Sequence, residues 1–223
     1  LILVARLVAA TVRGMADDRP WLRDVKTEPT EVGPLYDGWA SEYDRDLSRW
    51  GYEVPQIVAR ALAANHADAA TVLDVGCGTG LVGRALQTAG FVSVTGVDLS
   101  VESLNSAKKA GVYDALHEAD FQALPSKFAD NAFAALVCGG VMSYLPDTAA
   151  TVAEFCRLVS PGGTVIFTQR QDLWSERSCG AVLGGLAEAG CCEILEVTEP
   201  LEYLPGNAVM ADIGVILVTL RSL

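Results

Sequence analysis

Leu73-Asp74-Val75-Gly76-Cys77-Gly78-Thr79-Gly80 is the stretch on which the fold turns. It begins inside TVLDV (71–75), a short apolar run that suits a buried parallel strand. Glycines follow, and then LVGRALQTAG (81–90) takes up helical spacing and stops at Gly90, a suitable C-cap. Strand, glycine loop and helix in that order bring backbone N–H groups close to a ligand at a helix N-terminus.

The same alternation continues outward. VSVTGVD (92–98) reads as a second strand, and SVESLNSAKKAG (100–111) as a helix with Ser100 at its N-cap and Gly111 at its end. YDALHEAD (113–120) predicts a third strand and AFAALVCGGV (132–141) a fourth. A helix over 147–159, the turn Ser160-Pro161-Gly162-Gly163 and a fifth strand, TVIFTQ (164–169), come next. Residues 175–190 predict one more helix. CEILEVTEPLEYL (192–204) and VMADIGVILVTL (209–220) then read as two strands joined through Pro205-Gly206-Asn207. Ahead of the glycine loop, YDGWASEYDRDL (36–47) and EVPQIVARALAANH (53–66) predict two helices. Alternating strands and helices imply an α/β fold, a mostly parallel sheet with helices on both faces, and the closing strand pair adds one antiparallel strand.

Two cofactor classes use such a loop. Gly78, Gly80 and Gly83 satisfy the dinucleotide pattern, and Asp98 lies where a dehydrogenase keeps its ribose acid. Three acids favour S-adenosyl-L-methionine instead. Asp74, directly before the glycines, suits the ammonium of a methionine moiety but would repel a pyrophosphate. Asp98 ends the second strand, placed for both ribose hydroxyls. Asp120 follows the third strand and offers an acceptor for an adenine amino group, with the Phe121 ring beside it. Any one of these acids alone suits ordinary turn or cap chemistry. All three at consecutive strand ends fall on the edge where such sheets bind ligands.

These residues resemble the class I S-adenosylmethionine-dependent methyltransferases. Asp-Val-Gly-Cys-Gly-Thr-Gly (74–80), Gly-Val-Asp-Leu-Ser (96–100) and Ser-Pro-Gly-Gly (160–163) carry the likeness, from about residue 36 to the end. The resemblance implies a Rossmann-like seven-stranded sheet of order 3-2-1-4-5-7-6 with strand seven antiparallel. A closer likeness runs through Tyr36-Asp-Gly-Trp-Ala-Ser-Glu-Tyr-Asp44 and Gly78-Thr-Gly-Leu-Val-Gly83. Together with 96–100 these are similar to the methyltransferase-like protein 27 (Williams–Beuren region) branch. In related small-molecule enzymes a tyrosine-rich helix folds over the cofactor, which implies that Tyr36 and Tyr43 line the site. The spacing of Tyr36, Trp39 and Tyr43 equally suits a buried stripe. The expected cofactor-binding set is then Tyr36, Tyr43, Asp74, Gly76, Cys77 and Gly78, with Gly80, Asp98, Leu99, Asp120, Phe121 and Cys138.

Composition narrows the partners. The 223 residues suit one α/β domain, expected over 35–223 behind an irregular, proline-containing leader at 1–34. With 28 acidic against 16 basic side chains the net charge is −12, which repels phosphate backbones, so nucleic acid is not an expected partner. The six cysteines form no CxxC and only two histidines accompany them, so no metal site is expected and reduced thiols in the cytoplasm fit best. Leu1–Val12 is apolar but too short to span a bilayer, Met15 is a plausible start, and no membrane partner is expected.

The expected acceptor is a small molecule, with the chain acting as monomer or homodimer. No Asn-Pro-Pro-Tyr follows the fourth strand, where Cys138-Gly-Gly-Val-Met-Ser-Tyr144 stands, which argues against the DNA and glutamine amino-methylating enzymes. Tyr144, Asp147 and His117 are candidates for a base, and the sequence singles out none of them. An NAD-dependent oxidoreductase, an aminopropyltransferase and a non-catalytic S-adenosylmethionine-binding protein are the competing readings.

Overall fold

In a computed structural model the described residues are 18–223; the apolar run at 1–12 and Met15 lie outside them. The sheet is built on β1 (Val72–Val75), whose four side chains are all buried, as a strand covered on both faces requires. Val72 to Val75 pair in parallel with Val94 to Val97 of β2 (Val94–Asp98), and Val72 to Asp74 pair with Ala135 to Val137 of β4 (Phe133–Cys138). β3 (Ala115–Glu118) lies outside β2, and β5 (Val159–Arg170) lies beyond β4. The long β8 (Gly214–Ser222) runs antiparallel between β5 and β6 (Cys192–Val197). The order is β3-β2-β1-β4-β5-β8-β6, with a two-residue β7 (Leu201–Glu202) pairing β8 off this path. The expected seven-strand order is therefore present, β8 taking the place of strand seven.

Helices cover both faces. On one, Val54, Val58 and Leu62 of α3 (Val54–His66) pack with Val82 and Leu86 of α4 (Leu81–Thr88) against Val72, Val94 and Val137. On the other, Val152 and Phe155 of α6 (Thr148–Leu158) and Leu183 of α8 (Cys179–Glu188) meet Leu73, Leu136 and Val165. α5 (Val101–Ala110) is capped as expected: Ser100 Oγ accepts from Ser103 N at 3.0 Å, and Gly111 takes a positive φ of 68°. Among the described residues no helix is long and apolar enough to cross a membrane.

Several boundaries differ from the sequence reading, each for a physical reason. The first long helix, α1 (Pro29–Trp39), starts inside the expected leader with Pro29 at its first turn, so the 34/35 boundary falls within it. The expected 36–47 helix breaks after Trp39 and resumes as α2 (Tyr43–Arg49), and Asp46 of α2 folds back to accept from Trp39 Nε1 at 2.9 Å. The 175–190 helix splits into α7 (Gln171–Glu176) and α8, with Ser178 at φ 50° between them. Ser160–Gly163 lies inside the irregular start of β5, where the pairing register shifts. The expected tight strand pair is instead a long excursion over 198–213, and its Leu204, Met210 and Ile213 cover Trp39 and Trp50.

Candidate functional site

The strands end together on one edge, and there the glycine loop bends back. Gly76 N and Cys77 N both donate to Val97 O, at 2.8 and 2.9 Å, which draws the loop against the end of β2. Gly76, Gly78 and Gly80 all have positive φ (70°, 53° and 96°). At Gly78 a Cβ would meet nothing within 4 Å, because the position faces open space. At Gly76 a Cβ would run into the Val141 side chain, so this glycine is required by close packing.

Asp98 links the loop to the next helix. Its Oδ2 accepts from Gly78 N and its Oδ1 from Ser100 N, both at 2.8 Å. Low-dielectric surroundings raise its pKa, while N–H donors from Ser100, Gly78 and Leu99 oppose the rise. Each oxygen keeps a lone pair for a further donor.

A cleft opens beside this carboxylate. Val75, Gly76, Gly78 and Val97 line it from the sheet, with Asp98, Leu99 and Ser103 beyond β2 and Asp120, Phe121 and Gln122 beyond β3. Val32, Tyr36 and Tyr43 come from the N-terminal helices, and Gly139, Gly140, Val141, Tyr144 and Leu145 from the segment after β4. Gly140 has φ 79° and donates its N–H to Thr168 Oγ1 at 2.9 Å, which fixes the turn that presents Tyr144.

Two carboxylates fasten the N-terminal helices over the loop. Asp37 Oδ1 accepts from Ser100 Oγ at 2.6 Å and from Glu102 N at 3.2 Å, at the start of α5. Asp44 accepts from Thr79 Oγ1 and from Arg84 Nη2, the latter at 2.6 Å.

Eight of the twelve sequence-predicted residues line this cleft: Tyr36, Tyr43, Gly76, Gly78, Asp98, Leu99, Asp120 and Phe121. Asp74, Cys77, Gly80 and Cys138 do not; all four are buried behind the lining. Asp74 and Val75 are strand neighbours and face opposite sides, and Val75 holds the cleft side. Asp74 Oδ2 instead accepts from Tyr113 Oη at 2.7 Å, while the buried Oδ1 has no partner among the described residues. Burial raises the Asp74 pKa to about 7, against the pull of the Tyr113 hydrogen bond. Burial also pushes the Cys77 and Cys138 thiols far above their ordinary value, so both stay neutral.

The three base candidates separate. Tyr144 lines the cleft, but its hydroxyl accepts from Tyr36 Oη at 2.8 Å and burial raises its pKa. Asp147 caps α6 by accepting from Ala150 N, and His117 stacks edge-on against Phe128 on β3. Neither lines the cleft. Missed from sequence were Gln122, whose amide donates to Tyr144 O and to Thr27 O, and the fastening acids Asp37 and Asp44. Of these only Gln122 carried a usable signal, since it directly follows Asp120 and Phe121 at the third strand end.

Comparison with known proteins follows the same outline. A family model described as a methyltransferase domain matches residues 73–167, from β1 into β5. Methyltransferase-like protein 27 of Homo sapiens is 31% identical over 176 residues, covering 76% of this chain and 71% of that protein. A ubiquinone biosynthesis O-methyltransferase of Aromatoleum aromaticum is 36% identical over 101 residues, which is 44% of this chain and 42% of that enzyme. The crystal structure of a TehB-like S-adenosylmethionine-dependent methyltransferase from Corynebacterium glutamicum superposes with a TM-score of 0.63. That match covers 85% of this chain and 100% of the other at 21% identity, a likeness of fold.

Proposed function

The chain belongs to the S-adenosylmethionine-dependent methyltransferase family, and from that premise we propose that it transfers the donor's methyl group to a small, uncharged organic acceptor. The observation that carries the reading is the meeting, in one cleft, of the open Gly78 backbone, the Asp98 carboxylate and a wall of tyrosines. S-adenosyl-L-methionine is the family's cofactor, and the cleft suits it. Gly78 leaves room where a Cβ would project, and Asp98 keeps acceptor capacity on both oxygens. In our reading Asp98 takes the ribose hydroxyls, Asp120 and Phe121 hold the adenine, and the Gly76–Gly78 backbone borders the methionine portion.

The bound donor supplies a methyl group already activated on a sulfonium, so the chain's contribution is chiefly positioning. Tyr36, Tyr43 and Tyr144 wall the cleft, and burial holds all three phenols above their ordinary pKa. They remain protonated near neutral pH and act as hydrogen-bonding walls, not as bases. No Lys, Arg or His lines the cleft among the described residues, which favours an acceptor without a phosphate or carboxylate to neutralise. The ubiquinone-pathway relative, whose name specifies O-methylation, supports a small organic acceptor. Five of the six cysteines are buried, a setting that suits core thiols and is consistent with the cytoplasm we propose for the chain.

Calorimetric titration with S-adenosylmethionine, S-adenosylhomocysteine and NAD tests the cofactor side. The first two should bind and raise the melting temperature by mass action, and NAD should do neither. Binding of NAD alone would overturn the reading. Transfer of labelled methyl to members of a neutral metabolite library then tests the acceptor class, and labelling confined to nucleic acid or anionic compounds would reject it.

A further inference from the structure

Tyr113 lies between α5 and β3, outside the cleft, and ties together the parts that shape the glycine loop. Its hydroxyl donates to Asp74 Oδ2 at 2.7 Å and accepts from Gly83 N, in the first turn of α4, at 3.1 Å. The ring occupies a slot cleared by three glycines. A Cβ at Gly80 would lie 3.3 Å from Tyr113 Cε2, one at Gly96 would lie 3.1 Å from Cδ1, and one at Gly83 would overlap the ring. Gly80 and Gly83, which complete the dinucleotide-like spacing, thus make room for a side chain of this protein. Asp74 is fully buried with Oδ1 unpartnered, so Tyr113 supplies the one hydrogen bond its carboxylate has among the described residues.

We propose that Tyr113 is a positioning residue for cofactor binding: its phenol holds the Asp74 carboxylate and the first turn of α4 in the arrangement that presents the glycine loop to the cofactor's positively charged methionine end. The proposal rests on the methyltransferase reading of the loop. Four titratable groups face Asp74: Tyr113, Cys77 beside it in the loop, Asp98 at the end of β2 and Cys138 at the end of β4. Tyr113, Cys77 and Cys138 are held protonated by burial, which leaves the two carboxylates to set the charge beneath the loop. Asp74, raised to about 7 by burial, is drawn down by Tyr113 and pushed up by Asp98. A cationic ligand binds better over an ionised Asp74, so affinity rises with pH, and removing the phenol moves that rise to higher pH.

The test is S-adenosylmethionine affinity of the full chain, the donor carrying a net positive charge through its sulfonium, from about pH 5 to about pH 9 for wild type, Tyr113→Phe and Asp74→Asn, with circular dichroism to confirm folding. Wild type should tighten through pH about 7. Tyr113→Phe should bind about ten-fold more weakly with its midpoint shifted upward, as expected for a lost hydrogen bond to a charged group. Asp74→Asn, which keeps an oxygen for Tyr113, should lose the pH dependence. A Tyr113→Phe protein with wild-type affinity and midpoint would overturn the proposal. So would an Asp74→Asn protein that kept the wild-type profile, a measurement that holds even if Tyr113→Phe fails to fold. Wild type that bound neither S-adenosylhomocysteine nor S-adenosylmethionine would overturn the family reading instead.

Discussion

Tyr36 of the N-terminal helix α1 and Tyr144 of the turn after β4 share a hydrogen bond of 2.8 Å between their hydroxyls, Tyr36 donating. The two lie 108 residues apart in sequence, and their rings meet edge to face with centroids 5.6 Å apart. The bond joins two walls of the cleft, so it couples the N-terminal helix to the segment after β4. Removing one hydroxyl leaves the other short of a partner, which costs about 1 kcal/mol or somewhat more. Tyr36→Phe should lower stability by about that amount, and Tyr36→Phe with Tyr144→Phe should cost less than the sum of the single changes. Denaturant unfolding of the four proteins gives the coupling. Strict additivity would mean that the bond contributes nothing.

The same pair bears on catalysis. Because both phenols are raised above their ordinary pKa by burial, Tyr144→Phe should leave the pH profile of methyl transfer unchanged below about pH 9 while changing acceptor affinity. Loss of an ascending limb in that profile would identify Tyr144 as a base after all.

Asp98→Ala should weaken donor binding by ten-fold or more, beyond any effect of Asp74→Asn on affinity at pH 7. Asp98 lines the cleft and also accepts the Gly78 and Ser100 N–H groups, so its removal takes away a ligand acceptor and loosens the loop together. Titration calorimetry of both variants decides it. Equal affinities in Asp98→Ala and wild type would remove the ribose assignment.

How much of this was legible in the sequence depends on where the partner of each residue lies. Gly78, Asp98 and Asp120 could be named because alternation fixes strand ends, and parallel strand ends share one edge. Asp74 was legible as a loop acid but not as a buried one; the two-residue period that turns Val75 into the cleft turns Asp74 away. Tyr113 left no local signal, since its partners stand at positions 74 and 83 and its slot is made by what three glycines lack. The N-terminal fastening was hidden for the same reason. Residues 18–34 look like a charged, proline-rich leader, yet Asp18 accepts from Trp50 Nε1, and Arg170 donates to Leu22 O at 2.7 Å. Composition cannot reveal contacts between residues 32 and 148 positions apart.

Asp74 also makes the stability of the ligand-free protein depend on pH. Folding raises its pKa from the ordinary carboxylate range to about 7, so the folded chain holds this proton more tightly than the unfolded chain. The contribution is fully present below the ordinary carboxylate pKa and is lost as pH climbs to about 7. The full loss is at most about 4 kcal/mol, at roughly 1.4 kcal/mol per pH unit. Asp74→Asn removes the titration, so it should raise the melting temperature at pH about 8 and change it little at pH about 4. Thermal melts of both proteins without ligand test this, and a variant destabilised at the higher pH would show that the ionised carboxylate stabilises the apo fold.

The glycine loop offers the sharpest separation of folding from binding. At Gly78 the backbone sits at φ 53° and a Cβ would enter open space, so Gly78→Val places its Cβ where no atom of the fold lies within 4 Å. It bears only the strain of a branched side chain in the left-handed region, on the order of 1–3 kcal/mol, which a domain of this size survives. The isopropyl group would nevertheless fill the cleft beside Asp98, and donor affinity should fall below detection. Gly163 presents the reverse case. It lies in the first part of β5, away from the cleft, where a Cβ would drive into the backbone oxygen of Ala134 and the side chain of Val159. The Ala134 oxygen is β4 backbone and cannot withdraw without parting β4 from β5, so Gly163→Val should depress the melting temperature strongly. Whatever fraction stays folded should bind the donor with near wild-type affinity. Circular-dichroism melts and titration calorimetry on both variants give the contrast. Tight donor binding by Gly78→Val would show that the loop does not border the cofactor, and the site assignment built on it would fall.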